Sequence, residues 1–299
     1  MTKQSKILIL GYGEMGHAME YLLREQQTVA IWTRHSRDGS QTGQLEDAAA
    51  QADIILFCLP VNPHQEIAEV IAPLLKPQCL CLSIAKGLDE AGRTAAQIFS
   101  NVFGVYQPYG LIYGPMISEE IQASRYAFAQ VACSKVEHFN SVEDLFSGTK
   151  FYIEASSDIT GISWSVILKN VYALAFGMAD ELRFGDNMRG FLAVIALKEI
   201  NEIISTIGGQ AGTPYHLAGL GDLITTATSE SSHHHELGRM LARDDIKGIQ
   251  GEGIHTLKMV EKFQLLKRKN YSLFNLIHNI VLSPSKVRIQ FEEYLKSVK

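Results

Sequence analysis

A chain of 299 residues, 46% apolar and 20% charged, has the make-up of an ordinary globular protein, which excludes a disordered tail, a collagen-like repeat and a disulfide-rich miniprotein. The length favours two domains and allows a core that needs no metal or disulfide staple. With 27 basic side chains against 32 acidic ones, a net charge of −5, nothing draws the chain to nucleic acid or anionic membrane, so any bound phosphate must be held locally.

Lys6-Ile-Leu-Ile-Leu10 is a short apolar run ending at glycine, as suits a strand buried on both faces. Met15 to Glu25 carries Met15, Met19, Leu22 and Leu23 at helical spacing, and Thr28 to Trp32 is a second strand. Asp53 to Leu59, stopped by Pro60, is a third, followed by a helix from His64 to Leu75. Cys79 to Ile84 is a fourth strand and Val105 to Ile112 a fifth. Strands separated by helix-length segments predict βαβ units, hence an α/β domain with a doubly wound parallel sheet. From Ile159 to Gly208 the pattern is helical, with Trp164, Ile167, Leu168, Val171, Leu174, Ala175 and Met178 three and four apart. A second helix begins near Asn187, and no strand pattern returns. The expected division is 1–155 for the sheet domain and 156–299 for an all-α-helical one.

Three of the four cysteines, Cys58, Cys79, Cys81 and Cys133, lie in strand-like runs, where a thiol behaves as a small hydrophobe. Cys79 and Cys81 have no second Cys or His pair at ligand spacing, so no metal is expected. Met-Thr-Lys-Gln-Ser-Lys leads into the first strand with no secretory apolar stretch. No run is read as approaching the roughly 18 apolar residues of a membrane span. A reducing cytoplasm is the expected setting.

Gly11-Tyr-Gly13-Glu14-Met15-Gly16 fits G-x-G-x-x-G, a weak pattern alone but informative where it closes a strand and opens a helix. Gly11 permits the tight turn, Gly13 lets a pyrophosphate approach the backbone, and Gly16 lets helix and strand pack closely. Free N–H groups at the helix start, around Glu14 and Met15, then face the phosphates. The alternative is a tight turn that holds no ligand. An NAD site usually has Asp or Glu about 20 residues further on. Here Thr33 is followed by Arg34 and Arg37, whose guanidinium groups suit the 2′-phosphate of NADP, unless both are solvated loop charges.

Ser83-Ile-Ala-Lys86-Gly87 ends the fourth strand and Tyr113-Gly114-Pro115 the fifth, on the edge where open α/β sheets bind ligands. Lys169-Asn170 interrupts an otherwise apolar helix. Its ammonium either snorkels to solvent or sits in a cleft, where burial disfavours the charge and a carboxylate restores it. Gly219-Leu-Gly221-Asp222, followed by Thr225-Thr226, can supply that carboxylate; Asp222 also suits a helix N-cap.

In order along the chain, these motifs resemble the NAD(P)-dependent glycerol-3-phosphate dehydrogenase family. The match takes in the glycine loop, Ser83 to Gly87, Gly114-Pro115 with Glu120, and Leu168-Lys169-Asn170-Val171. It continues through Gly185-Asp186-Asn187 and Gly219-Leu-Gly221-Asp222-Leu to Gly251-Glu252-Gly253. The resemblance implies an N-terminal Rossmann domain, a C-terminal helical domain and a cytoplasmic homodimer. It also implies reversible reduction of dihydroxyacetone phosphate to sn-glycerol 3-phosphate by NADH or NADPH, feeding phospholipid synthesis. Lys169 becomes the acid/base, Lys86 sits by the substrate and the cofactor, and Asn170, Asp222 and Thr226 orient lysine and substrate. Glu252 lies near the cofactor, Gly114 near the substrate.

The chain also departs from that pattern. Ser232-His233-His234-His235 stands where the family has Ser-Arg-Asn, so His233 replaces the arginine that grips the substrate phosphate and His234 replaces the asparagine. One imidazole donor in place of a charged guanidinium fork weakens that grip. Met116 replaces a small hydroxyl residue, and the segment from Trp32 to Asp47 is shorter than the family's. Two alternatives stay open: a divergent paralogue that binds NAD(P)H and reduces another small keto compound, or one that is not catalytic.

Overall fold

The computed structural model describes residues 4–34, 45–229, 232–245 and 249–298; Arg37 lies outside them. The chain divides into two compact units, Met1–Asp89 with Arg93–Ile159, and Glu90–Gly92 with Thr160–Lys299.

The first unit is built on seven strands: β1 (Lys6–Leu10), β2 (Thr28–Trp32), β3 (Ile54–Phe57), β4 (Leu80–Ser83), β5 (Tyr109–Tyr113), β6 (Ala127–Cys133) and β7 (Phe151–Ala155), in the order β2-β1-β3-β4-β5-β6-β7. Six helices accompany them: α1 (Glu14–Leu23), α2 (Leu45–Gln51), α3 (His64–Ile71), α4 (Ala95–Phe103), α5 (Ser118–Gln122) and α6 (Phe139–Phe146). Successive strand residues point to opposite faces, and the core divides accordingly. Ile7, Ile9, Ile54, Leu56, Leu80 and Leu82 pack with Met19 and Leu23 of α1 and with Leu145 and Phe146 of α6. Leu8, Leu10, Ile55, Phe57, Cys79 and Cys81 pack with α2, α3 and α4 on the other face. Burial on both faces explains why these strands are continuous apolar runs.

The sheet is not wholly parallel. β6 runs antiparallel to β5, and β7 is parallel to β6. The link from β5 to β6 carries only the five-residue α5, whereas a parallel return needs a full crossover. The fifth strand also begins four residues later than expected, because Val105 and Tyr106 are exposed in the turn before it.

The second unit holds α7 (Ile159–Glu181), α8 (Asp186–Thr206), α9 (Asp222–Thr228), α10 (His233–Ala242), α11 (Glu252–Phe263), α12 (Ser272–Leu282) and α13 (Val287–Ser297). Every residue of α7 from Gly161 to Ala179 is buried. This helix is long and apolar enough to cross a membrane, which corrects the expectation that no run reaches that length. As 89% of its most apolar window is buried inside the protein, it is a core helix here. Glu199, buried on α8, accepts from the Tyr172 hydroxyl at 2.8 Å and from the Leu273 and Phe274 amides at 2.8 and 2.9 Å. It thereby satisfies free N–H groups at the start of α12. Burial raises its carboxyl above the usual range.

Candidate active site

In the first unit, β1 stands between β2 and β3, so the strand order reverses beside it, the position where open α/β sheets bind ligands. The glycine loop occupies the carboxyl end of β1. Gly11 has φ +94° and donates its amide to the Trp32 carbonyl at 2.8 Å. A Cβ on Gly16 would lie 2.2 Å from the Gly11 carbonyl oxygen, so only glycine lets α1 start this close to β1. At Gly13 nothing lies within 4 Å of the Cβ position. With Gly13 and Glu14 exposed and Met15 half-buried at the first turn of α1, a pyrophosphate can reach the free amides. These residues fit a dinucleotide. Arg34, just past β2, is half exposed and paired with Glu66 of α3 at 2.6 Å.

On the same edge, Lys86 Nζ donates to the Gly114 carbonyl at 3.2 Å, and the Tyr113 hydroxyl donates to the Ala85 carbonyl at 2.7 Å. Gly114 is fixed by packing, because a Cβ there would meet the Phe128 carbonyl oxygen of β6 at 2.5 Å. Met116 is buried in the sheet core. Glu120 pairs with Arg125 on the surface. A buried contact not anticipated from sequence lies beneath: His64, fully buried, has Nε2 2.8 Å from the Ser83 hydroxyl. Nothing local signals it, since the partners lie on different elements 19 positions apart.

In the second unit, Lys169 is 4% exposed and so does not snorkel. Its ammonium donates to the Thr226 hydroxyl at 2.9 Å and stands 3.3 Å from Asp222 Oδ2. Lys169 projects from the middle of α7, while Asp222 and Thr226 sit one turn apart on α9. Asp222 is the first residue of α9, with Gly221 at the cap position, so its carboxylate serves the lysine rather than capping the helix. The turn before it, Leu217–Gly221, is π-helical, and Gly219 is required there because a Cβ would lie 2.1 Å from the Pro214 carbonyl oxygen. Asn170, the next residue on α7, donates from Nδ2 to Glu252 Oε2 at 2.9 Å.

Lys169, Asp222 and Thr226 thus form one cluster in the helical unit, and Asn170 with Glu252 forms a pair at the next position of α7. The three histidines diverge. His233 is exposed and donates from Nε2 to the Gln250 carbonyl at 3.2 Å, two residues before Glu252. His234 follows, its ring centroid 5.8 Å from that of His233. His235 is buried against Asp180 at 2.7 Å, and Asp180 is held in turn by Arg189. Ser232 caps α10, accepting from the His235 amide. Among the described residues no group of three or more His, Cys, Asp or Glu side chains is placed to hold a metal ion.

Such a geometry, a buried lysine steadied by a carboxylate and a hydroxyl, can hold and deliver a proton at a defined point. The family model for the NAD-dependent glycerol-3-phosphate dehydrogenase C-terminus matches residues 158–291, and that for the N-terminus matches residues 40–139. A glycerol-3-phosphate dehydrogenase [NAD(P)+] from Acaryochloris marina is 32% identical, over 85% of this chain and 83% of the relative's. One from Syntrophomonas wolfei is 27% identical, over 98% of this chain and 95% of its own length. The fold is also that of the glycerol-3-phosphate dehydrogenase structure from Coxiella burnetii, with TM-score 0.84, 23% identity, and 98% and 99% of the two chains covered.

Proposed function

Since the chain belongs to the NAD-dependent glycerol-3-phosphate dehydrogenase family, we propose that it reduces dihydroxyacetone phosphate to sn-glycerol 3-phosphate, reversibly, with Lys169 as the acid. The observation that carries this reading is the Lys169 ammonium, buried in a helical core and held by Thr226 and Asp222. A buried ammonium without such partners would shed its proton. In the proposed reaction the substrate's developing alkoxide takes the proton of that ammonium.

The bound reduced nicotinamide supplies the hydride. In the first unit Gly11, Gly13, Glu14, Met15 and Gly16 form its pyrophosphate seat; Glu252 keeps the cofactor role that the resemblance implies. For NADPH, Arg34 turns from Glu66 to the 2′-phosphate. Lys86, steadied by the Gly114 carbonyl, is the first unit's substrate residue. Asn170, fixed by Glu252, orients a substrate hydroxyl, and His233 with His234 meets the phosphate. A proton donor so positioned is worth about 10²–10⁴-fold in rate. The setting is cytoplasmic, in keeping with cysteines that are all free thiols, and the assembly a homodimer that makes a phospholipid precursor.

A second reading, reduction of another small keto compound, is favoured by His233, whose imidazole binds a main-chain carbonyl where the resemblance calls for an arginine. Nicotinamide absorbance followed with NADPH, then NADH, and dihydroxyacetone phosphate tests the first reading. Oxidation that disappears in Lys169→Ala while NADPH still binds supports it. Tight cofactor binding with no oxidation by the wild type moves the assignment to the second.

A further inference from the structure

Beneath the Lys86 segment lies a buried relay. His64, the first residue of α3, is walled by Phe57 and Phe99, whose ring centroids lie 4.9 and 5.6 Å from the imidazole. Its Nδ1 faces the Pro60 carbonyl at 2.9 Å. A carbonyl only accepts, so Nδ1 carries the proton and the neutral ring offers Nε2 as an acceptor. Nε2 then receives the Ser83 hydroxyl proton at 2.8 Å. That hydroxyl oxygen, its own hydrogen committed, accepts the Ala85 amide at 3.1 Å. On the other side of the same residue, the Ala85 carbonyl accepts from Tyr113 at 2.7 Å. Both main-chain groups of Ala85 are therefore fixed, and the next residue is Lys86. Burial drives the imidazole's pKa down to about 4, so the ring stays neutral and the direction of the relay holds at physiological pH.

From this chain of contacts we propose that His64 is a positioning residue for the reaction: through the Ser83 hydroxyl it fixes the turn from Ser83 to Lys86, and so sets where the Lys86 ammonium meets substrate. The claim rests on the reading of Lys86 given above. It also explains why a histidine occupies so apolar a pocket, where phenylalanine would pack equally well: its two nitrogens join the Pro60 turn at the end of β3 to the Ser83 turn at the end of β4.

The two nitrogens can be tested separately. Glutamine reaches the position of Nε2 and can accept from Ser83, whereas asparagine reaches only the position of Nδ1 and keeps the Pro60 contact. His64→Gln should leave KM for dihydroxyacetone phosphate within about twofold of wild type. His64→Asn and Ser83→Ala should each raise it about tenfold, the equivalent of one positioned hydrogen bond, with kcat and NADPH affinity little changed. The His64→Asn/Ser83→Ala double variant should be no worse than either single one, because both break the same contact. Hydrogen exchange at the Ala85 amide should quicken in His64→Asn and Ser83→Ala and stay slow in His64→Gln. If asparagine and glutamine behave alike, or Ser83→Ala leaves exchange unchanged, His64 serves only packing and the proposal is wrong. Should the wild type fail to reduce dihydroxyacetone phosphate, the functional reading falls, and exchange at Ala85 still decides the positioning claim.

Discussion

Glu252 accepts a 2.9 Å hydrogen bond from Asn170 across 82 positions of sequence, and Gly253 is what lets it come so near. A Cβ on Gly253 would lie 2.4 Å from the Asn170 carbonyl oxygen, backbone in the buried stretch of α7. Gly253→Ala should push the start of α11 off α7, with a cost of about 1–3 kcal/mol from overpacking. Turnover should fall further than stability, since Asn170 loses its anchor. Chemical denaturation together with steady-state rates checks this; unchanged values for both would show that α11 is not pinned there.

Lys169 and Asp222 form a pair whose side chains are only 6% and 4% exposed. Removing one member of such a pair strands the other charge, at a cost of about 3–5 kcal/mol, whereas replacing both by apolar groups is often nearly neutral. Asp222→Ala should therefore be strongly destabilised, and Lys169→Met with Asp222→Ala should regain most of that stability while remaining inactive. Urea unfolding of the three proteins measures the coupling. A double variant as unstable as the single one would show that Asp222 acts independently of the lysine.

His233, on the first turn of α10, is exposed and bonds the Gln250 carbonyl. His233→Arg supplies a charged fork in its place, and should lower KM for dihydroxyacetone phosphate by about tenfold without altering NADPH affinity. Kinetics with and without the substitution decide whether the triose phosphate is the substrate. No gain would favour an unphosphorylated ketone.

Much of the first unit was legible in the sequence, because short apolar or β-branched runs set between helix-length segments mark the strands of βαβ units. Lys6 to Leu10 and Thr28 to Trp32 were read to the residue. β6 and β7 were not. Ala-Phe-Ala-Gln-Val-Ala-Cys carries a buried glutamine among its apolar residues, and Phe-Tyr-Ile-Glu-Ala is half-exposed; the pairing and direction of both are set by tertiary contact. In the helical unit, Lys169 stood out as a charge in an apolar helix, and the Gly219-Leu-Gly221-Asp222 turn as a source of its carboxylate. That neighbouring histidines on one helix diverge follows from helical geometry; the partner of His235, Asp180 on α7, was hidden in the sequence.

Burial holds the His64 imidazole near pKa 4 where the unfolded chain has about 6.5. Between those values the unfolded state binds more protons than the native one, so stability falls as pH drops from about 6.5 through 4. The full shift corresponds to roughly 3 kcal/mol. Melting temperature followed over that range should decline more steeply for the wild type than for His64→Gln, which has nothing to protonate there. Parallel curves would mean that His64 is not the group responsible.

α7 is synthesised before the other helices of its unit. Its 23 residues have the length and apolarity that membrane-insertion machinery accepts. The ammonium near its centre raises the cost of transfer into lipid by about 2.5–3.5 kcal/mol. The residue proposed to deliver a proton therefore also biases the nascent segment toward the aqueous route, and replacing it by a hydrophobe would remove a barrier to misrouting as well as a catalytic group.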